Sequence, residues 1–196
     1  ITTAGATRIC SALESNSTLT KLSLADNRLD GKDHAFKTAL HRLFKNNRCL
    51  VEVDFRYNRS LGWAGADAVL DAMAPLRRVN LLNTCVGVYK ARQLAKLNRD
   101  TLCGLKGDET KFFAPSMALD SGDAVLLAAE LSRSGSRLTD IDLSQNQLKD
   151  NALEALTAAM QGSKKLRRLS VAGNSFTEAA MQKLRDVAHA KEISLV

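Results

Sequence analysis

The sequence is poor in aromatic residues and in residues that interrupt regular structure. It contains one Trp and two Tyr among 196 residues, so any core that it builds must be aliphatic. Pro75 and Pro115 are the only prolines, and no stretch rich in Ser, Pro and Gly divides the chain. No apolar run approaches the about 20 residues of a bilayer-spanning helix, and no signal-peptide pattern opens the sequence. We therefore expect one globular domain, residues 1–196, with no transmembrane segment.

The sequence also lacks the residue patterns of metal sites and active sites. Its four cysteines have no CxxC spacing, which predicts buried free thiols in a reducing, cytoplasmic compartment. His34 and His41 lie seven residues apart on one helical face and His189 stands alone, so we expect no metal ion. GxSxG, P-loop, HExxH and GxGxxG motifs are absent. We therefore expect a protein that needs no cofactor and is not an enzyme.

Internal repetition is the dominant pattern in the chain. Five segments share the order aliphatic, two variable positions, aliphatic, one variable position, aliphatic: LTKLSLADNRL (19–29), LVEVDFRYNRSL (50–61), LRRVNLLNTCV (76–86), LTDIDLSQNQL (138–148) and LRRLSVAGNSF (166–176). An Asn follows in four of them, and Thr84 takes that position in the third. A last partial copy, KEISLV, ends the sequence.

Each copy predicts a short strand followed by a helix. Alternation in pieces such as IDL is typical of a strand, and apolar residues then recur at helical spacing in pieces such as DNALEALTAAM. A unit of about 28 residues with one strand and one helix cannot bury its apolar faces alone, so neighbours must stack with parallel strands. The Asn amide can bond the backbone of the turn that leaves the strand, where polar groups would otherwise lack partners.

These segments resemble the leucine-rich repeat superfamily, and the strand followed by a true helix is similar to its ribonuclease-inhibitor-type class. The resemblance covers nearly all of the chain. It implies an α/β solenoid (horseshoe) of about six to seven repeats, with a parallel β-sheet on the concave face and α-helices on the convex face. It also implies a non-enzymatic intracellular protein that binds another protein, in a class with cytoskeleton-associated members. Because neither end carries a cap, we expect a fragment of a longer array.

One stretch, TLCGLKGDETKFFAPSMALDSG (101–122), departs from the repeat. The second aliphatic residue of each regular copy marks one column: Leu22, Val53, Val79, Ile141, Leu169 and Ile193. Successive members of the column are 24 to 31 residues apart, with one exception of 62 residues. The long step contains the departing stretch, so it predicts one repeat hidden between Val79 and Ile141.

Two interpretations of the hidden repeat stay open. In the favoured one, alignment of Leu119 on Leu148 places Phe112 in the column and Met117 at the Asn position. In the other, TLCGL supplies the strand and GDETKFF is an insertion. Both predict an irregular connector near residues 98–113.

The variable positions beside the column face the concave side of the predicted sheet. The position before it alternates in charge: Lys21, Glu52, Arg78, Asp140, Arg168 and Glu192, with Lys111 in the hidden repeat. Neighbouring strands lie about 4.8 Å apart, so opposite charges should pair. A ladder that fixes the register and a mixed-charge surface for a protein partner both explain this row. The position after the column is polar: Ser23, Asp54, Asn80, Asp142, Ser170 and Ser194. Because this set contains no stacking aromatic, we do not expect bound nucleic acid there.

The net charge of +7 lies outside these rows. Basic residues cluster where predicted helices end, as in Lys164, Lys165 and Arg167, and acidic residues cluster where helices begin. Each such placement stabilises a helix by up to about 1 kcal/mol, so capping and solubility explain the pattern. A basic edge that binds an acidic protein, nucleic acid or a membrane surface is the alternative.

The segment FRYNRSLGWAGADAVL contains the only Trp of the chain, which we expect in the loop before a helix. Exposed Trp and Tyr beside Arg are typical of interaction hot spots, and packing on the neighbouring loop is the alternative for Trp63. The predicted partner-binding residues combine this loop with the concave rows: Asp54, Arg56, Tyr57, Arg59, Trp63, Arg78, Asn80, Asp140, Asp142 and Arg168.

Three functions are compatible with these observations. The first is a non-enzymatic scaffold that binds a protein through the concave face and the strand-to-helix loops. The second, implied by the family resemblance, is a regulatory protein of the Ran GTPase-activating kind, although no functional residue of that class can be matched to this sequence. The third is a binder of an acidic partner, nucleic acid or a membrane surface at the basic edge.

Overall fold

Short strands form where the sequence alternates, and helices form where apolar residues recur at helical spacing. The computed structural model describes residues 1–72, 76–97, 99–133 and 135–196. Within them the strands are β1 (Lys21–Ser23), β2 (Glu52–Asp54), β3 (Arg78–Asn80), β4 (Lys111–Phe113), β5 (Asp140–Asp142), β6 (Arg168–Ser170) and β7 (Ser194–Leu195). The helices are α1 (Thr3–Leu13), α2 (His34–Asn46), α3 (Gly62–Ala72), α4 (Val88–Ala95), α5 (Ser121–Leu131), α6 (Leu153–Gly162) and α7 (Glu178–Ala190).

The strands pair in two parallel sheets. One has the order β1-β2-β3 and the other has the order β4-β5-β6-β7. The first sheet belongs to a compact unit, Ile1–Gly104 (unit 1), and the second belongs to another, Leu105–Val196 (unit 2). The alternation of helices with parallel strands confirms the predicted α/β repeat architecture. The interpretation of residues 1–196 as a single domain stays a prediction.

The aliphatic column sets the register of both sheets. Leu22 lies opposite Val53, which lies opposite Val79, and the equivalent residues of unit 2 follow the same rule. Phe112 lies opposite Ile141, so the favoured position for the strand of the hidden repeat is confirmed. The valines of the column are buried at the interface between sheet and helices. An aliphatic side chain on one face of each strand therefore fixes the pairing.

The register predicted for the last strand is wrong. Arg168 lies opposite Ser194 and Leu169 lies opposite Leu195, so the column ends on Leu195 and not on Ile193. Glu192 therefore does not continue the charged row, and Ser194 belongs to that row and not to the polar one. The cause is the period of two in a strand, because a shift by two residues keeps every side chain on its face.

Part of the predicted connector continues the first sheet. Arg78 bridges to Thr101 and Asn80 bridges to Cys103. The backbone N–H of Val79 donates to the carbonyl of Thr101 at 3.1 Å. The TLCGL segment therefore pairs with β3, while β4 forms at Lys111–Phe113 as the favoured interpretation requires. Asn98, at the start of the predicted connector, lies outside the described residues.

The repeated Asn bonds the turn as predicted. The Asn58 amide donates to the carbonyls of Leu24 and Phe55, each at 2.8 Å, and its oxygen accepts from the N–H of Leu29 at 3.2 Å. Asn146 and Asn174 make the equivalent bonds in unit 2. Each of these amides joins its own turn to the turn of the preceding repeat. Buried carbonyls at the ends of the strands thereby gain partners.

Thr84 substitutes only in part for the Asn in its repeat. Its hydroxyl donates to the carbonyl of Leu81 at 2.6 Å, which is the bond that the other repeats make within their own turn. The residue before this position has a left-handed backbone in six repeats: Asp26, Tyr57, Asn83, Ser116, Gln145 and Gly173. Such a backbone costs a non-Gly residue roughly 1–2 kcal/mol, so the surrounding turn must hold it in place.

A glycine contact brings α3 close to the turn that precedes α2. A Cβ atom on Gly31 would overlap the carbonyl oxygen of Leu61 and would lie 2.8 Å from the Cα atom of Gly65. Real Cβ atoms do not approach backbone atoms so closely, and glycine is therefore required at this position. This close approach fixes where the first turn of α3 lies relative to α2.

Candidate functional site

The turn after β2 brings four of the predicted contact residues together. The carboxylate of Asp54 forms an ion pair with the guanidinium of Arg56 at 3.1 Å. The guanidinium carbon of Arg56 also lies 5.9 Å from the centre of the Tyr57 ring, which is within cation–π range. Arg59 donates to the Oδ1 atom of Asn83 in the next turn at 2.9 Å. We refer to these four residues as the turn cluster: Asp54, Arg56, Tyr57 and Arg59.

The charge of Asp54 is held in a half-buried position. Burial raises the pKa of its carboxyl above the ordinary value, and the N–H and the charge of Arg56 oppose that effect without cancelling it. The N–H of Arg56 donates to the Oδ1 atom of Asp54 at 3.0 Å. The carboxylate is therefore incompletely stabilised in the free protein, and an added cationic or hydrogen-bonding group would favour its ionised form.

The charged row of unit 1 pairs across its first two strands. Lys21 and Glu52 are opposite in register, and their charged groups lie 3.1 Å apart. Arg78 lies opposite Glu52 on the other side. Asn80 is buried, and its Oδ1 atom accepts from the N–H of Leu82 at 3.2 Å. The predicted cross-strand pairing is thus present at Lys21 and Glu52, and Asn80 also supports the local turn.

Three of the predicted contact residues, Asp140, Asp142 and Arg168, lie in unit 2. Asp140 lies opposite Arg168 in register, and Asp142 occupies the polar position of the same strand as Asp140. Hydrogen bonds from Ser144 lower the pKa of the Asp142 carboxyl, and Ser170 and Arg168 add to this effect. Asp142 and Asp54 hold equivalent positions in their repeats, yet their pKa values shift in opposite directions because only Asp54 is dominated by burial.

The polar row of the sheet face contains an aromatic residue that the sequence analysis left out. Phe113 is the last residue of β4 and lies opposite Asp142, and its side chain is 59% exposed. The ammonium group of Lys111 lies 5.9 Å from the centre of this ring. The expectation of a row without aromatics is therefore wrong at this repeat. A single aromatic residue does not form the series of stacking platforms that single-stranded nucleic acid requires.

Trp63 lies in a helix and not in the predicted loop. It is the second residue of α3, and its side chain is 62% exposed. Its neighbours line a groove of about 370 Å³ between α2 and α3, which is called the helix groove below. Four residues come from α2 (His34, Lys37, Thr38 and His41) and four come from α3 (Trp63, Ala64, Asp67 and Ala68). The structure thus groups Trp63 with α2 rather than with the contacts that define the turn cluster.

The acidic residues at helix starts include true caps. The side chain of Asp33 accepts from the N–H of Phe36, and Asp120 forms a capping box with Asp123. The basic residues Lys164, Lys165 and Arg167 are exposed after the end of α6. Capping therefore accounts for acids at two helix starts, and the basic residues remain available to a partner.

Three groups of residues were missed or misplaced by sequence reasoning. Asn83 was not considered, although its place before the Thr84 position matches that of Tyr57 before Asn58. Phe113 was not considered either, although it follows Phe112 of the aliphatic column and so takes the polar position of its repeat. The spacing of His34 and His41 indicated one helical face, but nothing in the sequence indicated that α3 would bring Trp63 beside that face.

Within the described ranges, no group of three or more His, Cys, Asp and Glu side chains is arranged to hold a metal ion. Cys10 and Cys103 are buried as predicted, whereas Cys49 and Cys85 are only half-buried, and none of these four described cysteines forms a disulfide. Among the helices of the described residues, none is long and apolar enough to cross a membrane.

A family model described as Leucine Rich repeat matches the chain at residues 15–33 and 137–156. One match lies in each unit, and each covers a strand of the repeated pattern. The matches and the alternation of parallel strands with helices support a leucine-rich repeat protein. A search of curated proteins finds no match to this chain.

Proposed function

We propose that the protein is a non-enzymatic scaffold that binds another protein through its sheet faces and strand-to-helix turns. Leucine-rich repeats are generally protein-interaction modules, and the two family matches support repeats of this kind. The turn cluster is the observation that carries the proposal. It combines an Arg, a Tyr and a half-buried carboxylate at the end of one strand. Arg and Tyr are enriched among residues that dominate binding energies.

The repeat scaffold holds this cluster in one geometry before binding. Asn58 follows Tyr57 directly and ties the turn to the preceding repeat through Leu24 and Leu29. Tyr57 keeps a left-handed backbone with φ of 61°. The same left-handed backbone recurs at this position in six repeats, so the repeat turn sets the conformation from which the Tyr57 side chain projects. A preordered cluster loses less conformational entropy on binding, which favours affinity.

The remaining contact residues extend this proposal in each unit separately. In unit 1, Arg78 and Asn80 continue the sheet face next to Asp54. In unit 2, the contacts are proposed at Asp140, Asp142 and Arg168. The ribonuclease-inhibitor-type class and a reducing, cytoplasmic location belong to the same proposal, and cysteines that form no disulfide support the reducing location.

A second candidate function follows from the exposed basic residues after α6. Lys164, Lys165 and Arg167 form one cluster with no acidic residue among them. An acidic protein, nucleic acid or a membrane surface would bind such a cluster with an affinity that falls as salt rises.

Comparative affinity capture tests both candidates. The wild-type chain, Arg56→Glu and the control Arg8→Glu are immobilised and exposed to a lysate of source cells. Arg8 is exposed on α1, so its substitution makes the same charge change away from the turn cluster. We expect a protein that is retained by wild type and Arg8→Glu and lost with Arg56→Glu. Equal retention by all three would contradict the turn cluster. A fourth immobilised chain has Lys164, Lys165 and Arg167 all changed to Glu, and loss of the protein from that chain alone would support the basic edge.

A further inference from the structure

The helix groove of unit 1 exposes an aromatic side chain where a surface helix would ordinarily present polar ones. Trp63 is 62% exposed, and Ala64 and Ala68 form an apolar floor beside it. Large aromatic side chains that remain exposed next to a cavity are typical of interaction sites, because their burial by a partner yields much of the binding free energy.

The walls of the groove follow the spacing of helical faces. The α2 residues are at positions i, i+3, i+4 and i+7, beginning at His34, and the α3 residues begin at Trp63. About two turns of α2, over about 10 Å, and about one and a half turns of α3 therefore line the groove. This length suits two turns of a third helix, which would insert side chains spaced by three or four residues between α2 and α3.

The charge of the groove selects the occupant. Between His34 and Asn46, α2 contains basic residues and no Asp or Glu. Lys37 is half-buried in the groove wall, and within the described part of the chain no carboxylate lies within 4 Å of its ammonium group. Among the described lining residues, Asp67 is the single acid, and its carboxylate is already in an ion pair with Lys90. Among the described residues, Lys37 therefore places a positive charge without an ion-pair partner in the groove that Trp63 also lines.

We propose that the helix groove is a second protein-docking site, which takes an acidic amphipathic helix of a partner. Apolar side chains of that helix cover Trp63 and the alanine floor, and its carboxylates face Lys37. This site goes beyond the proposed function, because it lies between helices and uses none of the turn-cluster residues. The proposal commits to a helical protein segment with Glu or Asp on its polar face.

The only Trp of the chain is in this groove, so its fluorescence reports on the site directly. The probe is a synthetic peptide of about 14 residues, without Trp or Tyr, with Leu and Phe on one helical face and Glu on the other. The same peptide with Lys in place of Glu is the matched probe. We expect a saturable change in Trp63 emission with the Glu peptide, and the affinity of this peptide should fall as salt is added. The Lys peptide should bind at least about tenfold more weakly than the Glu peptide.

Two variants of α2 complete the test. Lys37→Glu should lower the affinity of the protein for the Glu peptide by about tenfold or more, whereas Lys45→Glu should change this affinity by about twofold or less. Lys45 is exposed on the same helix but does not line the groove. No saturable change up to about 1 mM Glu peptide, equal binding of both peptides, or equal affinity of Lys37→Glu and wild type would overturn the proposal. Arg56→Glu should leave peptide binding unchanged, so the turn-cluster function is judged separately.

Discussion

At the scale of single residues, the Asn amides replace the partners that backbone groups lose where each strand leaves the sheet. Asn58 is fully buried, and its side chain bonds the carbonyls of Leu24, Phe55 and Arg56 and one N–H. Substitution of Asn58 by Ala should lower the free energy of unfolding by about 3 kcal/mol, because each buried group left without a partner costs about 1–3 kcal/mol. Urea denaturation measures this change.

Asn151→Ala is the matched control for this prediction. Asn151 is exposed in the short 3-10 helix Asp150–Ala152 before α6, so its substitution should change the stability by less than about 0.5 kcal/mol. If both variants were equally stable, the Asn side chains would not support the turns as described.

The thiol of Cys10 predicts how stability depends on pH. Burial raises its pKa from 9.0 to about 12. Between these values the folded protein binds more protons than the unfolded chain, so the free energy of unfolding falls as pH rises above about 9. Cys10 should contribute a loss of about 1 kcal/mol between pH 8 and about pH 10. Urea denaturation at both pH values should show a smaller decrease for Cys10→Ala, and an equal decrease would contradict the buried thiol.

Sequence reasoning predicted the role of Asn58 but not the surroundings of Trp63. The role of the Asn depends on local geometry, because its amide reaches carbonyls in its own turn and in the preceding turn. The place of Trp63 depends on where α3 begins. Gly62, with a positive φ of 56°, opens the helix earlier than the apolar spacing in GADAVL indicated. The neighbours of Trp63 come from α2, and the proximity of α2 to α3 follows from packing between repeats.

At the scale of elements, the repeat that contains β4 lacks the Asn that follows the strand in four other repeats. Met117 stands in that position and is 40% exposed. Met117→Asn should raise the free energy of unfolding by about 1 kcal/mol, because an amide there can donate to the buried carbonyl of Ala114 as the other repeats do. The exposed Met loses little apolar burial.

Met117→Ala separates the gain of an amide from the loss of the Met side chain. The Asn variant should unfold at a higher urea concentration than the Ala variant. Equal urea midpoints for the two variants would show that an Asn in the turn after β4 does not form the hydrogen bonds that Asn58 and Asn146 make. Ser116 has the same left-handed backbone as the residues before those Asn residues.

The register of a strand was predictable where an Asn after the strand added a second constraint to the aliphatic column. In β2 and β5 the following Asn fixes which aliphatic residue belongs to the column, and both registers are confirmed. The final strand has no Asn after it, and Ile193 and Leu195 fit the column equally well by alternation. Only pairing with β6 distinguishes them, and it selects Leu195.

At the scale of the whole molecule, the two compact units each repeat the same design. Each has a parallel sheet with a charged row, and each contains one of the two family matches. The charged rows alternate in sign and hold four basic and two acidic residues, so they contribute +2 of the net charge of +7. The excess basic residues lie on helices and at helix ends. Binding at a sheet face should therefore depend less on salt than binding at Lys164, Lys165 and Arg167.

The central claim is that the turn cluster contacts a protein partner. The most direct test is the Kd of the captured protein for wild type, Arg56→Ala and Arg8→Ala, measured by calorimetry at one salt concentration. We predict that Arg56→Ala weakens binding by about tenfold or more and that Arg8→Ala changes it by about twofold or less. Equal Kd values for wild type and Arg56→Ala would contradict the claim.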